Sequence, residues 1–349
     1  MVERLFLLKR CFLPFQFAEQ TSADMFEASP ICARVVCKTT VVSNIFNFRP
    51  RSDVKPAPIN LSELKVGVII NTSSGGCDVD SEAELRDLLE GAGLANCKSW
   101  CGGSNQMERV FAEAATLKPE MLVVLGGDGT IRTAAHACAG TGTYLLPLPG
   151  GTLNVLPRAL CGDSSWQEAL KQTLANPVTM TLSGGRVGDK LFFVAAVAGA
   201  PGLWMEAREA IREGEIFNAL GKAGVAFEAM FDTTIQYFIS PEVSGKAEVV
   251  AVICPLVSQQ MSESEQALEA AAIDVENAAE LLGLATTAAF GKWRDDESVT
   301  LTRTHQVTVQ SKKDIPQFLD GERVKVGKEA EISFVPHAIN VIVPQNSIS

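Results

Sequence analysis

From Leu64 onward the chain repeats one pattern: a short, wholly apolar run stops at a glycine-rich cluster, and a helical stretch follows. KVGVIIN (Lys65–Asn71) ends at Thr72-Ser73-Ser74-Gly75, MLVVL (Met121–Leu125) at Gly126-Gly127-Asp128-Gly129-Thr130, and YLLPLP (Tyr144–Pro149) at Gly150-Gly151-Thr152. Runs that are apolar at every position, rather than at alternate ones, mark strands buried on both faces. SEAELRDLLEGAG and the segments 105–117 and 131–139 carry apolar residues at helical spacing. Strands alternating with helices in this rhythm require right-handed crossovers and a parallel sheet. Ligands then bind at the carboxyl ends of its strands, where all of these glycine clusters fall. The predicted fold class is α/β, with a Rossmann-like parallel domain over residues 61–178.

After about Thr179 the pattern changes to longer stretches, several with period-two alternation: TMTLSGGRVGDKLFFVAAVAG, TTIQYFIS, KAEVVAVICPLV, SVTLTRTHQVTVQSK and AEISFVPHAINVIVP. These predict an antiparallel, sandwich-like β-rich domain over 179–345, interrupted by helices near 203–212, 220–230 and 278–290. Residues 150–178 carry the crossover. Residues 1–60 differ from both domains, with eight basic and five acidic side chains. They read as a poorly ordered leader closing in a Pro-rich linker, with an interfacial apolar and basic segment as the alternative. Lys9 and Arg10 break the opening apolar stretch too early for a signal peptide.

The formal net charge of −11 disfavours a nucleic-acid partner. Nine cysteines without a CxxC pair, and three histidines without metal-ligand spacing, argue against a zinc site. The thiols read as reduced and the protein as cytoplasmic, and no apolar run approaches the ~20 residues of a membrane span.

Three motifs carry the chemistry. In Gly126-Gly127-Asp128-Gly129-Thr130 the glycines let backbone approach an anion, and the following helix offers unpaired amides, so a phosphate chain fits. Asp128 beside phosphate points to a base or to a bound water; as a purely structural residue it caps the next helix. No GK[ST] follows, so this is not a Walker loop. In PLPGGTLNVLPRAL the Thr152 hydroxyl and Asn154 amide are suited to phosphate or ribose oxygens, with Arg158 one turn further on. Asp320-Gly321-Glu322 reads as a β-hairpin turn. Its carboxylates gain a role as base only if the tip faces the nucleotide crevice.

The order of NTSSG (Asn71–Gly75), GGDGT, GGTLNVLPR (Gly150–Arg158) and DGE resembles the diacylglycerol kinase catalytic-domain family, which includes bacterial lipid kinases and sphingosine kinases. The resemblance spans about Leu64 to Pro344. It implies a kinase that moves the ATP γ-phosphoryl group, with Mg²⁺, to a lipid hydroxyl, in a cleft between the two domains. ATP would be held by Asn71, Thr72, Ser73, Ser74 and Gly75, by Gly126, Gly127, Asp128, Gly129, Thr130, Ile131 and Arg132, and by Gly151, Thr152 and Asn154. Glu322 would accept the hydroxyl proton, with Asp128 the other candidate base and Asp320 beside them. A lipid substrate places the protein peripherally at the inner membrane face, with Phe192, Phe193 and apolar residues between Leu203 and Phe231 as candidate lining.

The chain also departs from the family. Gly199-Ala200-Pro201-Gly202 stands where many members have a glycine closely followed by an aspartate. The acidic loop keeps Asp274, the candidate metal ligand, without the preceding pair. Two alternatives remain at this level: an NAD-kinase-like enzyme with a soluble acceptor, and a non-catalytic homologue that binds lipid or nucleotide.

Overall fold

The computed structural model describes residues 55–78, 80–199, 234–258, 260–261, 266–275 and 293–348. The helices expected at 203–212, 220–230 and 278–290, most of the candidate lipid lining, and residues 1–54 of the leader lie outside the described residues. Residues 55–60 are described: β1 (Ala57–Pro58) pairs with a later strand, and Asn60 caps a short 3₁₀ turn at Leu61–Glu63.

The parallel half runs β2 (Val66–Asn71), α1 (Ser81–Gly91), β3 (Lys98–Gly102), α2 (Met107–Thr116), β4 (Met121–Gly126), α3 (Asp128–Cys138), β5 (Tyr144–Pro149), α4 (Val155–Cys161) and α5 (Trp166–Ala175). The strands lie in the order β3-β2-β4-β5, all parallel, with Val68 opposite Val123 and Val123 opposite Leu146. Every residue of β2 and β4 is buried, as their unbroken apolar runs require. The sheet edge β3, KSWCG, was not foreseen as a strand. It buries only Trp100 and Gly102, so its sequence lacks the apolar run. Helix α3 starts at Asp128, three residues before the predicted start at Ile131, because Gly127 takes the extended N-cap conformation.

The second half contains β6 (Pro177–Val187), β7 (Lys190–Phe192), β8 (Ala195–Gly199), β9 (Ile235–Phe238), β10 (Ser244–Ala247), β11 (Val249–Ile253), β12 (Leu268–Ile273), β13 (Val299–Thr304), β14 (Gln306–Gln310), β15 (Pro316–Leu319), β16 (Glu322–Lys325) and β17 (Glu329–Pro344). Six strands, in the order β13-β12-β11-β8-β15-β16, form a wholly antiparallel sheet. The others extend the parallel sheet through β17. Its first half pairs antiparallel with β14 and its second half parallel with β5 (Asn340 opposite Tyr144), while β6 runs antiparallel along its other edge. The closing apolar segment therefore belongs to both halves. A register shift between Val335 and Ile339, with His337 at φ 48°, bends the β6–β17 ribbon where the sheet changes from parallel to antiparallel. SVTLTRTHQVTVQSK also divides: at His305 the chain leaves one sheet for the other, so its alternation spans two strands rather than one.

The two sheets of the second half face each other across a core that includes Phe192, Ile235, Val252, Val307, Leu319 and Ile332. The fold is the α/β class read from the sequence, a parallel α/β half joined to an antiparallel β half. Among the described residues no helix is long and apolar enough to cross a membrane.

Because Ile342 is fully buried on the strand shared by both halves, Ile342→Ala should lower unfolding free energy by about 2–5 kcal/mol. Urea denaturation followed by circular dichroism checks this.

Candidate active site

The carboxyl ends of β2, β3, β4 and β5 are tied together by short polar bonds. Asn71, buried at the end of β2, donates from Nδ2 to Thr130 Oγ1 (2.8 Å), and its Oδ1 accepts from the Ser73 amide (3.1 Å). Ser73 Oγ accepts from the Ser104 amide beyond β3 (3.1 Å), and Ser74 Oγ accepts from the Gly127 amide (3.0 Å). The Gly76 amide donates to Gly150 O (2.8 Å), and the Gly150 amide to Gly126 O (2.9 Å). Glycine is required here by close approach. A Cβ on Gly151 would lie 2.6 Å from Gly127 Cα, and one on Gly150 would lie 2.9 Å from the Gly126 nitrogen. A Cβ on Gly127 would meet Gly151 Cα only at 3.6 Å, and one on Gly75 nothing within 4 Å. The loops thus clasp one another while leaving open backbone around Gly75 and Gly127.

Helix α3 opens onto this space, and its first amides, at Asp128, Gly129 and Thr130, have no helical carbonyl behind them. A helix end of this kind favours an anion. The Asp128 carboxylate points away from its own helix. It accepts from the amides of Asn154 (3.1 Å) and Val155 (2.6 Å), capping α4. Asn154, in the left-handed region at φ 51°, closes the loop by accepting from the Gly151 amide (2.6 Å) and donating to Gly151 O (2.9 Å). Burial raises the Asp128 pKa to about 6 against the pull of these two amides, and the Asp320 and Glu322 carboxylates push it the same way. Thr152 is exposed on the same loop.

The β15–β16 hairpin brings its tip to this helix end. Asp320 is buried at φ 47°, and its two carboxylate oxygens accept from the amides of Phe193 (2.8 Å), Val194 (2.8 Å) and Ala195 (3.0 Å). Burial pushes its pKa up, against those three donors and the Arg132 guanidinium. Arg132, one turn into α3, donates to Leu319 O (2.9 Å). Glu322 follows the turn, and its Cγ and Cδ come within 3.7 Å of where a Cβ on Gly129 would stand. On the other side Leu153 approaches Gly321.

The structure therefore gathers Asn71–Gly75, Gly126–Arg132, Gly151–Asn154 and Asp320–Glu322 into one cluster, although Asp320 lies far from the rest in sequence. Arg132 reaches the hairpin backbone. Asp274 stands elsewhere, exposed at the end of β12, with its amide on Ser298 O (3.0 Å). Its carboxylate, after burial, raises the pKa of Glu248. No group of three or more His, Cys, Asp or Glu side chains suited to a metal occurs among the described residues, so they provide no metal cage at Asp274. Ser104 and Gly103, which complete the clasp from β3, were missed. The glycine-serine cluster Gly102-Gly103-Ser104 was their signal, hidden because the strand before it was not read.

Residues 65–183 match the diacylglycerol kinase catalytic domain family. The match covers the parallel half, which carries the motifs that resemble this family, and ends inside β6. Two solved structures from Bacillus anthracis strain Sterne share the whole arrangement. One is provisionally assigned as a diacylglycerol kinase: TM-score 0.64, 16% identity, covering 82% of this chain and 99% of that one. The other is described as a diacylglycerol kinase: TM-score 0.58, 14% identity, covering 82% and 99%. At these identities the likeness is one of fold.

Two outcomes follow from the geometry. Gly151→Ala, which forces two backbones apart, should lower the melting temperature by several degrees, whereas Gly127→Ala should leave it nearly unchanged; thermal unfolding of the pair decides. Asp128 holds its proton to about pH 6 in the folded chain and only to about 4 when unfolded. Its contribution to stability is therefore full below about pH 4 and is lost as pH rises through 6. The stability difference between wild type and Asp128→Asn, measured by denaturant titration at several pH values, should decline across that window and be flat above it.

Proposed function

We propose that the protein is an ATP-dependent lipid kinase that transfers the γ-phosphoryl group to a lipid hydroxyl, diacylglycerol or a related lipid. Kinases of the matched family use ATP and Mg²⁺. One observation carries the reading: the carboxylate of Glu322, from the β-rich half, sits over the amide-presenting end of α3. A phosphate acceptor site and a proton acceptor thereby meet across the junction of the two halves.

In this reading the ATP phosphates lie on the open backbone at Gly75 and Gly127 and on the amides of Asp128, Gly129 and Thr130, with the Thr152 hydroxyl beside them. Asn71, Ser73 and Ser74 shape the cradle rather than meet the nucleotide with their bonded atoms. The described residues fit an anion but offer no metal cage; Mg²⁺ brought in with ATP would supply charge neutralisation at the transferring group. The acceptor oxygen bonds to the γ-phosphorus as the bond to the ADP oxygen breaks, and its proton passes to Glu322. Asp128 and Asp320 have their carboxylates engaged by backbone amides and act as positioning residues. Phosphoryl transfer asks mainly for such alignment and charge neutralisation.

Phosphate transfer from labelled ATP to lipids in mixed micelles with Mg²⁺ tests the reading, with NAD included as a soluble acceptor. Wild type should label a lipid and not NAD. Glu322→Gln should lower kcat by about 10²–10⁴-fold with ATP affinity by calorimetry unchanged, and Gly127→Ala should stay folded while losing that affinity. A labelled NAD, or full turnover in Glu322→Gln, would overturn the assignment.

A further inference from the structure

At several places in this acidic chain a cation stands against a carboxylate: Arg86 meets Glu82, Arg109 meets Glu113 and Arg158 meets Asp163. The β15–β16 hairpin breaks that pattern. Strand β16 is the edge of the six-stranded sheet, and alternation puts Glu322 and Val324 on one of its faces and the exposed Arg323 and Lys325 on the other. At the open end of the hairpin two loops run side by side, joined by the Ile315 amide on Gly327 O (2.7 Å) and the Ser311 amide on Lys328 O (2.9 Å). They bring the exposed Lys312 and Lys313 next to Lys325 and Lys328. Five exposed cations thus gather against two exposed acids, Asp314 and Glu329, in a chain of formal net charge −11. Among the described residues Lys312, Arg323, Lys325 and Lys328 have no ion-pair partner.

Cations on a sheet edge discourage pairing with another sheet, which accounts for Arg323 and Lys325. It does not account for Lys312 and Lys328, which stand in a bend and a turn and guard no strand. The place of the surface is a second observation. Glu322 opens the same strand, so Lys325 follows it by about 10 Å. We propose that this surface docks the protein on an anionic lipid bilayer, and the choice of a bilayer rests on the lipid-kinase reading. Headgroup phosphates supply the charge that the hairpin lacks, and the attraction acts within about one Debye length of the membrane, ~10 Å. A lipid hydroxyl lies at the headgroup level, so cations seated there bring Glu322 to the plane of its acceptor. A flat bilayer needs only this one edge, whereas a nucleic-acid duplex would have to follow more of a surface whose net charge repels it.

The test is flotation of the full chain, without ATP, on vesicles of phosphatidylcholine alone or mixed with phosphatidylglycerol. Wild type should float with the mixed vesicles, stay behind with the neutral ones and be released by high salt. Lys325→Gln combined with Lys328→Gln should weaken binding to the mixed vesicles by about tenfold or more. Lys118→Gln combined with Lys171→Gln removes the same charge from two exposed sites elsewhere and should leave binding nearly unchanged. Both double variants should keep the wild-type melting temperature, since none of these side chains is buried. Binding that survives the loss of Lys325 and Lys328, an equal loss in both variants, equal binding to neutral vesicles, or a preference of wild type for a DNA duplex over the mixed vesicles would overturn the docking surface and leave the kinase reading standing. Wild type that binds through these lysines and yet labels no lipid in the same vesicles once ATP and Mg²⁺ are added would uphold the surface and overturn the kinase reading.

Discussion

The carboxylate of Asp320 holds the site together. Its two oxygens meet three consecutive amides, at Phe193, Val194 and Ala195, just ahead of β8, while the backbone at φ 47° turns the chain back into β16. Bonds from amides to a carboxylate are among the stronger neutral-to-charged hydrogen bonds, and a buried carboxylate without them would be costly. Arg132 adds the second tether, from α3 to Leu319 O. Glu322 is placed by these two anchors, one within the β-rich half and one crossing to the parallel half. A hairpin tip with only its Asp-Gly turn chemistry would have no reason to rest on α3.

The same economy governs the glycine clasp. Strands β4 and β5 end in glycines whose backbones nearly touch, so the loops after them stack as one surface, closed by Ser74 and Asn71 from β2. Where a Cβ is excluded by backbone, at Gly150 and Gly151, the glycine serves assembly. Where space is open, at Gly127 and Gly75, a Cβ would meet no backbone closer than 3.6 Å. Neighbouring glycine motifs thus hold different kinds, which only the geometry separates.

Much of this was legible. The uninterrupted apolar runs of β2, β4 and β5 fixed the parallel sheet, because only burial on both faces tolerates them. The glycine clusters after them marked the strand ends that build the site. The polar edge strand β3 was not legible, since an edge buries little and needs no apolar run. Nor was the division at His305: alternation reports which face is buried, not which sheet a strand joins. Asp128 read as the cap of its own helix or as a base; the helix its carboxylate caps is α4, a partner that appears only once the loops are stacked. Asp320 read as a turn residue, yet its side chain serves amides more than a hundred residues earlier in the chain.

Three carboxylates converge here, and their surroundings separate their roles. Asp128, enclosed between two loops and beside two other acids, is pushed to about pH 6 and has both oxygens engaged. Asp320 is deeper still and fully bonded to backbone. Both carboxylates tie loops together, and moving either side chain would break the bonds that hold those loops. Glu322 differs in standing on a strand end, partly exposed, with its carboxylate over the end of α3. A base must exchange its proton with an acceptor and then with water, and the proposed role of Glu322 rests on a placement that allows this without dismantling the frame.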